Sequence, residues 1–251
     1  MAGHSHWAGI KHKKALIDNK RGKLWSKLSK AIIIAAKMGG GDLDSNSRLR
    51  TAIADAKAVS MPKDNIARAV KKGTGELGGS NVEEILYEGY GPHGVAIMCD
   101  IMTDNRNRTA PEVRKIFEVH NGKLGSTNCV AWMFDRRGVF LFPVNGTDEE
   151  VLMEVAMDGG ADDVSQEEDH FHVTCEPDQY TAVSDALNAA NLTPLSQEIC
   201  RIPTTTVDLD KDSASAVLKL METLDDHDDV QSVSANFNIP DDVVAELQGE
   251  G

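Results

Sequence analysis

Residues 73–80, Gly-Thr-Gly-Glu-Leu-Gly-Gly-Ser, separate two parts of the sequence that carry opposite charge. Residues 1–75 contain 16 Lys and Arg against 5 Asp and Glu, whereas residues 76–251 contain 10 against 35. The glycine-rich stretch itself predicts a helix stop followed by a linker. Because 251 residues exceed the usual size of one domain, we expect a basic N-terminal part and a separately folded acidic remainder.

The part before the linker has the pattern of a small helical domain, residues 22–79. Apolar residues recur at helical spacing in three segments, which predict helices over 23–38, from 45 or 47 onward, and over 62–72. Residues 1–21 contain five Lys and Arg and few large apolar side chains, so we interpret them as a basic arm that orders on a partner.

The part after the linker alternates strand and helix patterns, with paired strands between helices. This order predicts an α+β fold class with two split βαβ-like domains behind the three-helix domain. Within it, residues 132–134 and 138–142 are predicted to form a hairpin that turns at Asp135-Arg136-Arg137. Thr109 and Glu112 have the spacing of a capping box, which predicts a helix start at about Ala110.

The sequence contains none of the common catalytic motifs and no cofactor motif in the context that it requires. There is no GxSxG elbow, Walker A loop, HExxH or SxxK motif, so we predict that the protein is not an enzyme and has no cofactor. Gly73–Gly78 matches GxGxxG but follows a basic helix, whereas a dinucleotide site needs a preceding strand. His170, His172 and Cys175 lack further ligands at metal-site spacing, which favours a solvated acidic edge.

Features that indicate a cellular compartment point to the cytoplasm. The longest apolar run, Ala31–Ala36, is far shorter than the roughly 20 residues that span a bilayer, and no signal-peptide pattern precedes it. The four cysteines include no CxxC pair and are interpreted as free thiols. We therefore predict a cytoplasmic protein without membrane contact.

Clustered cations in the N-terminal part favour binding to nucleic acid, because Lys and Arg neutralise phosphates and release counterions. Trp7 and Trp25 lie among these charges and could stack on bases. For Trp25, the helical spacing beside Leu28 favours packing in the core instead. The predicted contacts to DNA or ribosomal RNA are Lys11, Lys13, Lys14, Lys20, Arg21, Lys23, Lys27, Lys63, Arg68, Lys71, Lys72, Arg106 and Arg108.

Each of these charge patterns has an alternative explanation within the chain. The basic part can dock on the acidic part of the same molecule. Arg106 and Arg108 precede a helix and can form an anion site there, or they can pair with acidic residues of the body. The acidic run 225–229 is most simply a solvated loop, and alternatively a surface for a basic protein partner.

A series of short motifs in the same order resembles the YebC/PmpR family over essentially the whole chain. The motifs are Ala2–Trp7, Lys20–Lys23, Gly39–Asp42, Asn46–Arg50, Met61–Ile66, Lys71–Gly73, Tyr87–Pro92 and Thr103–Thr109. Two positions depart from the family pattern: His6 stands where Lys is usual, and His93 stands where Gly is usual.

The resemblance implies three domains and a regulatory function. It pairs residues 80–130 with 204–251 in one α+β domain around an inserted domain, 131–203. It also implies that the protein is a DNA-binding transcriptional regulator. Because some relatives act at the ribosome, the first alternative is a translation factor that relieves stalling on proline-rich stretches. A protein–protein adaptor that uses the acidic body is the second.

Overall fold

The computed structural model describes residues 21–78, 80–167, 169–240 and 243. It begins with three helices, α1 (Arg21–Gly39), α2 (Ser47–Ala58) and α3 (Lys63–Gly73). Every side chain from Ile32 to Ala36 in α1 is buried. This all-round burial arises because α2 and α3 cover one side of α1, while Val82 and Met102 of the following domain pack in the same cluster. The helical domain is therefore continuous with the body through its central helix.

The first α+β domain contains a four-stranded antiparallel sheet of order β3-β1-β2-β9. Two helices, α4 and α7, enclose its main core with apolar side chains such as Phe117 and Leu220. Its elements are β1 (Glu83–Tyr90), β2 (Ala96–Thr103), α4 (Arg106–Val119), β3 (Lys123–Leu124), β8 (Val207–Asp208), α7 (Lys211–Asp225), β9 (Val230–Ala235) and β10 (Phe237–Asn238).

A second α+β domain is inserted between β3 and β8. Its antiparallel sheet has the order β5-β6-β4-β7, and its core packs Phe140, Phe142 and Phe171 against two helices. The guanidinium of Arg201 on β7 donates to Asp100 on β2 at 2.9 Å, which joins the two α+β domains. The elements are β4 (Phe134–Pro143), α5 (Glu149–Asp158), β5 (Asp163–Glu167), β6 (His170–Cys175), α6 (Tyr180–Ala189) and β7 (Ser196–Pro203).

The predicted fold class, a helical domain followed by two α+β domains with one inserted in the other, is confirmed. The predicted hairpin at Asp135-Arg136-Arg137 is wrong, because residues 134–143 form one continuous strand that pairs with β7 and β6. Charges are tolerated inside this strand because Asp135 and Arg136 are exposed, while Arg137 donates to Asp162 at 3.0 Å and also to Glu176.

The predicted capping box of α4 is also wrong. The helix begins three residues earlier than Thr109, and Asn105 is its cap, since the Asn105 side chain accepts from the backbone N–H of Arg108. The sequence predicts one strand over residues 231–238, but it is divided at Asn236, whose side-chain oxygen accepts from the backbone N–H of Ala96. The sequence also predicts a short helix after this strand, and apart from Val243 that segment lies outside the described residues. No helix in the described part of the chain is both long and apolar enough for a membrane crossing.

Candidate nucleic-acid interface

The predicted contact residues fall on three helices and on the N-terminal arm. Lys11, Lys13, Lys14 and Lys20 lie outside the described residues, and Arg21 is described only as the first residue of α1. The remaining predicted residues lie on α1, α3 and α4. Their surroundings differ strongly between the three helices.

Three lysines of α1 bind the C-terminal end of α7 and the loop after it. Lys23, Lys27 and Lys30 are spaced so that they share one face of the helix. The last carbonyl groups of a helix have no partner inside it and carry partial negative charge, so ammonium groups stabilise them. Lys23 donates to the carbonyl oxygen of Asp226 at 3.1 Å, Lys27 to that of Asp225 at 2.5 Å, and Lys30 to that of Asp228 at 3.0 Å.

One carboxylate, Asp229, is the centre of this contact. Its residue is only 1% exposed, and it accepts hydrogen bonds from Lys30, from Arg108 at 2.7 Å and from the Thr109 hydroxyl at 2.7 Å. Burial alone raises the pKa of Asp229, but the donors favour the ionised form and together hold its pKa below the usual value. Asp229 therefore joins α1, α4 and the α7–β9 loop as a charged group.

These contacts correct one prediction and decide between two others. The run 225–229 is not a solvated loop, because its carbonyl groups and Asp229 bind the basic helix α1 of the same chain. Arg108 pairs with Asp229 and with Asp104 at 3.3 Å, as the intramolecular alternative predicts. Arg106 is exposed, and within the described residues its side chain has no ion pair.

Helix α3 presents its cations to solvent. Lys63, Arg68, Lys71 and Lys72 are all exposed, whereas Ile66 and Ala69 of the same helix are buried. At 3.6 residues per turn the four cations cover the side opposite the buried pair. Asp64 is the only acidic residue of the helix. Among residues 21–78, 80–167 and 169–240, no carboxylate forms an ion pair with any of the four.

The other candidate groups do not assemble into a metal or base-stacking site. His170 and His172 lie on one face of β6, while Cys175 points with Phe171 and Val173 into the core. In the described part of the chain, no three His, Cys, Asp or Glu side chains converge as metal ligands do. Trp25 is half-buried in the helical core and donates to the carbonyl oxygen of Val59 at 3.3 Å, which confirms its predicted packing. Trp7 lies outside the described residues.

Sequence reasoning missed the importance of Lys30 and Asp229. For Lys30 a signal was present, since it follows Lys23 and Lys27 on the same helical face. For Asp229 there was none, because nothing in the sequence distinguishes it from Asp225, Asp226 and Asp228. Its position under α1 makes it different.

Comparisons with known proteins agree with the resemblance noted in the sequence. Models of the TACO1/YebC N-terminal domain and of the TACO1/YebC second and third domains match residues 5–76 and 82–237. A "Probable transcriptional regulatory protein" of Rhodopirellula baltica is 56% identical over 98% of this chain and 100% of its own length. Another, from Desulfatibacillum aliphaticivorans, is 51% identical with the same coverage of both chains.

A solved structure is similar over nearly the whole fold. The crystal structure of a conserved hypothetical protein from Aquifex aeolicus has a TM-score of 0.85 and 46% identity, covering 94% of this chain and 98% of that one. Both parts of the sequence, the basic helices and the acidic α+β body, therefore have counterparts in the same relatives. This chain belongs to the TACO1/YebC family.

Proposed function

We propose that this protein is a nucleic-acid-binding regulator and that α3 holds the phosphates of DNA. The observation that carries the proposal is the contrast between two basic helices. Lys23, Lys27 and Lys30 of α1 are occupied by the end of α7 and the loop after it. The cations of α3 stay exposed without a carboxylate partner in the described part of the chain, namely Lys63, Arg68, Lys71 and Lys72.

Four cations on one helical face match what a polyphosphate requires. Each phosphate that is neutralised releases condensed counterions, and this gain needs no contact to a base. The arm residues Lys11, Lys13, Lys14, Lys20 and Arg21, together with Arg106, are proposed to add contacts of the same kind. Lys23, Lys27 and Arg108 are proposed to act indirectly, by fixing the helical domain on the body.

The acidic body gives the proposed contact an orientation. Residues 76–251 carry a large excess of Asp and Glu and repel a polyanion, so a bound phosphate backbone is expected to meet the molecule only on its basic side. We propose DNA ahead of RNA as the ligand, and the names of the relatives, which call them probable transcriptional regulatory proteins, support this choice. The role is one of binding, and no catalytic step is proposed.

The test measures binding of a labelled duplex DNA of about 30 base pairs by fluorescence anisotropy, across about 50–200 mM salt. The double variant Lys71→Gln/Lys72→Gln is expected to bind at least tenfold more weakly and to lower the salt slope by about 1.8, since each phosphate contact contributes roughly 0.9. Lys219→Gln is the matched control, because it removes an exposed lysine from α7, outside the proposed surface.

Two results would overturn parts of the proposal. If the double variant and Lys219→Gln bind duplex DNA equally well, α3 is not the contact surface. If a structured ribosomal RNA fragment binds at least tenfold more tightly than duplex DNA at the same salt, and α3 is required for that binding, the ribosome-associated alternative replaces DNA binding.

A further inference from the structure

Two aromatic side chains of the first α+β domain, Tyr90 and Trp132, are exposed beside each other. Trp132 is 70% exposed, which is unusual for a ring of its size, and Tyr90 is 38% exposed. The indole N–H of Trp132 and the hydroxyl of Tyr90 both donate to the carbonyl oxygen of Cys129, each at 3.3 Å. The two rings are therefore held over one point of the surface.

The turn that carries Trp132 is anchored on both sides of it. Residues Ala131–Met133 form a single 3₁₀ turn, and Ala131 and Met133 pack against a small core that includes Met98 and Phe134. Because its two neighbours face inward, Trp132 is directed outward. The indole contributes little to the core from this position, so packing does not explain its presence.

A buried carboxylate fixes the loop below the two rings. Glu88 is 2% exposed and accepts from the backbone N–H groups of Asn128 at 2.7 Å, Val130 at 2.9 Å and Ala131 at 2.9 Å. Glu88 lies two residues before Tyr90, so both project from the same face of β1. One strand therefore supplies Tyr90 and also orders the segment that presents Trp132, which lowers the entropic cost of binding a ligand there.

A cation stands next to the aromatic pair. Lys123 on β3 is the direct antiparallel partner of Tyr90, and directly opposite residues of a sheet point to the same face. Lys123 is exposed, and within the described residues its side chain has no ion pair. Two flat apolar surfaces and one free ammonium group are thus brought together by tertiary structure.

We propose that Tyr90, Trp132 and Lys123 form a binding site for an unpaired nucleobase of single-stranded nucleic acid. The base stacks on the exposed ring of Trp132, and Lys123 meets the adjoining phosphate. Stacking of this kind accepts every base because each has a flat π face. The inference rests on the proposed function for its class of ligand, but it uses none of the residues of α3.

The experiment uses the full chain and two single-stranded probes, a 15-nucleotide oligo(dT) and a 15-nucleotide oligo(U), beside the 30-base-pair duplex. Trp132→Ala is expected to lower the affinity for both single strands about tenfold, the loss that removal of one stacked base produces. It should leave duplex binding within about twofold. Val119→Ala is the matched control, since Val119 is also an apolar residue with high exposure, 67%, on the same domain.

A second variant separates stacking from loss of structure. Stacking quenches indole emission, so wild-type fluorescence should fall when oligo(dT) is added. Trp132→Phe keeps a ring for the base but removes that emission: binding should persist while the quenching by oligo(dT) is largely lost. Circular dichroism of each variant should match the wild type, because the residue replaced is mostly outside the core.

The outcomes distinguish this inference from the α3 proposal. If Trp132→Ala and Val119→Ala bind oligo(dT) and oligo(U) equally well, the stacking site does not exist. If Trp132→Ala weakens the duplex as much as the single strands, the site is not selective for unpaired bases and the inference is wrong. If the α3 double variant retains full duplex affinity while Trp132→Ala loses single-strand affinity, the α3 proposal fails and the stacking site stands.

Discussion

The ammonium group of Lys30 donates to the carboxylate of Asp229, although 199 positions separate the two residues in the chain. The Lys30 side chain is 16% exposed and that of Asp229 is 2% exposed, so both charges are largely withdrawn from water. Arg108 and the hydroxyl groups of Thr103 and Thr109 also donate to the carboxylate. The interaction connects the basic helical domain to the acidic body. Because α3 belongs to that domain, the same contact helps to fix the position of α3 relative to the body.

We expect Asp229→Asn to destabilise the protein by about 3 kcal/mol, because loss of the carboxylate leaves the largely buried ammonium group of Lys30 without a countercharge. Urea denaturation followed by circular dichroism measures the loss. Asp228→Asn is the matched control: Asp228 is exposed and contributes its backbone carbonyl to Lys30, so its side chain should matter by less than about 0.5 kcal/mol. Equal stabilities of the two variants would contradict the assignment.

The same carboxylate predicts how stability depends on pH. The folded pKa of Asp229 lies below its unfolded value, about 3.9, so the ionised group stabilises the fold above that pH. The contribution declines as the pH falls below about 4 and is lost through the folded pKa. The difference in unfolding free energy between wild type and Asp229→Asn should therefore be constant near pH 6–7 and shrink below about pH 4. A difference that grows on acidification would show that the folded pKa is raised.

Glu88→Gln should destabilise the first α+β domain by about 1–3 kcal/mol. A glutamine has one acceptor oxygen where the carboxylate has two, so at least one of the N–H groups of Asn128, Val130 and Ala131 loses its partner. Glu84→Gln on the same strand is the control, because its pair with Arg48 is exposed and worth little. Hydrogen exchange at residues 128–131 should rise in Glu88→Gln alone, and unchanged protection there would count against the role of Glu88.

Cys175 should resist thiol reagents in the native protein. Burial, followed by the charges of Asp162 and Glu176, raises the pKa of its thiol to about 11. At pH 8 only about one molecule in a thousand carries the reactive thiolate. Mass spectrometry after brief treatment with iodoacetamide should find Cys129, which is only partly buried, modified before Cys175. Unfolding in urea should abolish the difference, and rapid native labelling of Cys175 would contradict the prediction.

Local patterns in the sequence predicted the elements better than their ends. Gly73, Pro62 and the spacing of Ile66 and Val70 placed α3 to within about one residue, although the structure buries Ala69 more fully than Val70. The hairpin at Asp135-Arg136-Arg137 failed because three consecutive charged residues resemble a turn, whereas in the fold Arg137 pairs with Asp162 just before β5 and with Glu176 just after β6. The cap of α4 failed because Asn105 and Thr109 are both suitable caps, and only the buried contact of Thr109 with Asp229 places it inside the helix.

Fold class, family and the separation of charge at residues 73–80 can all be predicted without coordinates, because periodicity, motif order and local composition are properties of residues close together in the chain. Which cations face water depends instead on how the elements pack. Lys27 and Lys71 are both lysines on basic amphipathic helices, yet one is bound to the end of α7 and the other is exposed. The same holds for Tyr90, Trp132 and Lys123. These side chains lie together because of the strand register and because buried Glu88 orders the loop before Trp132. Contacts between residues this far apart depend on how the elements pack, and no local pattern encodes that.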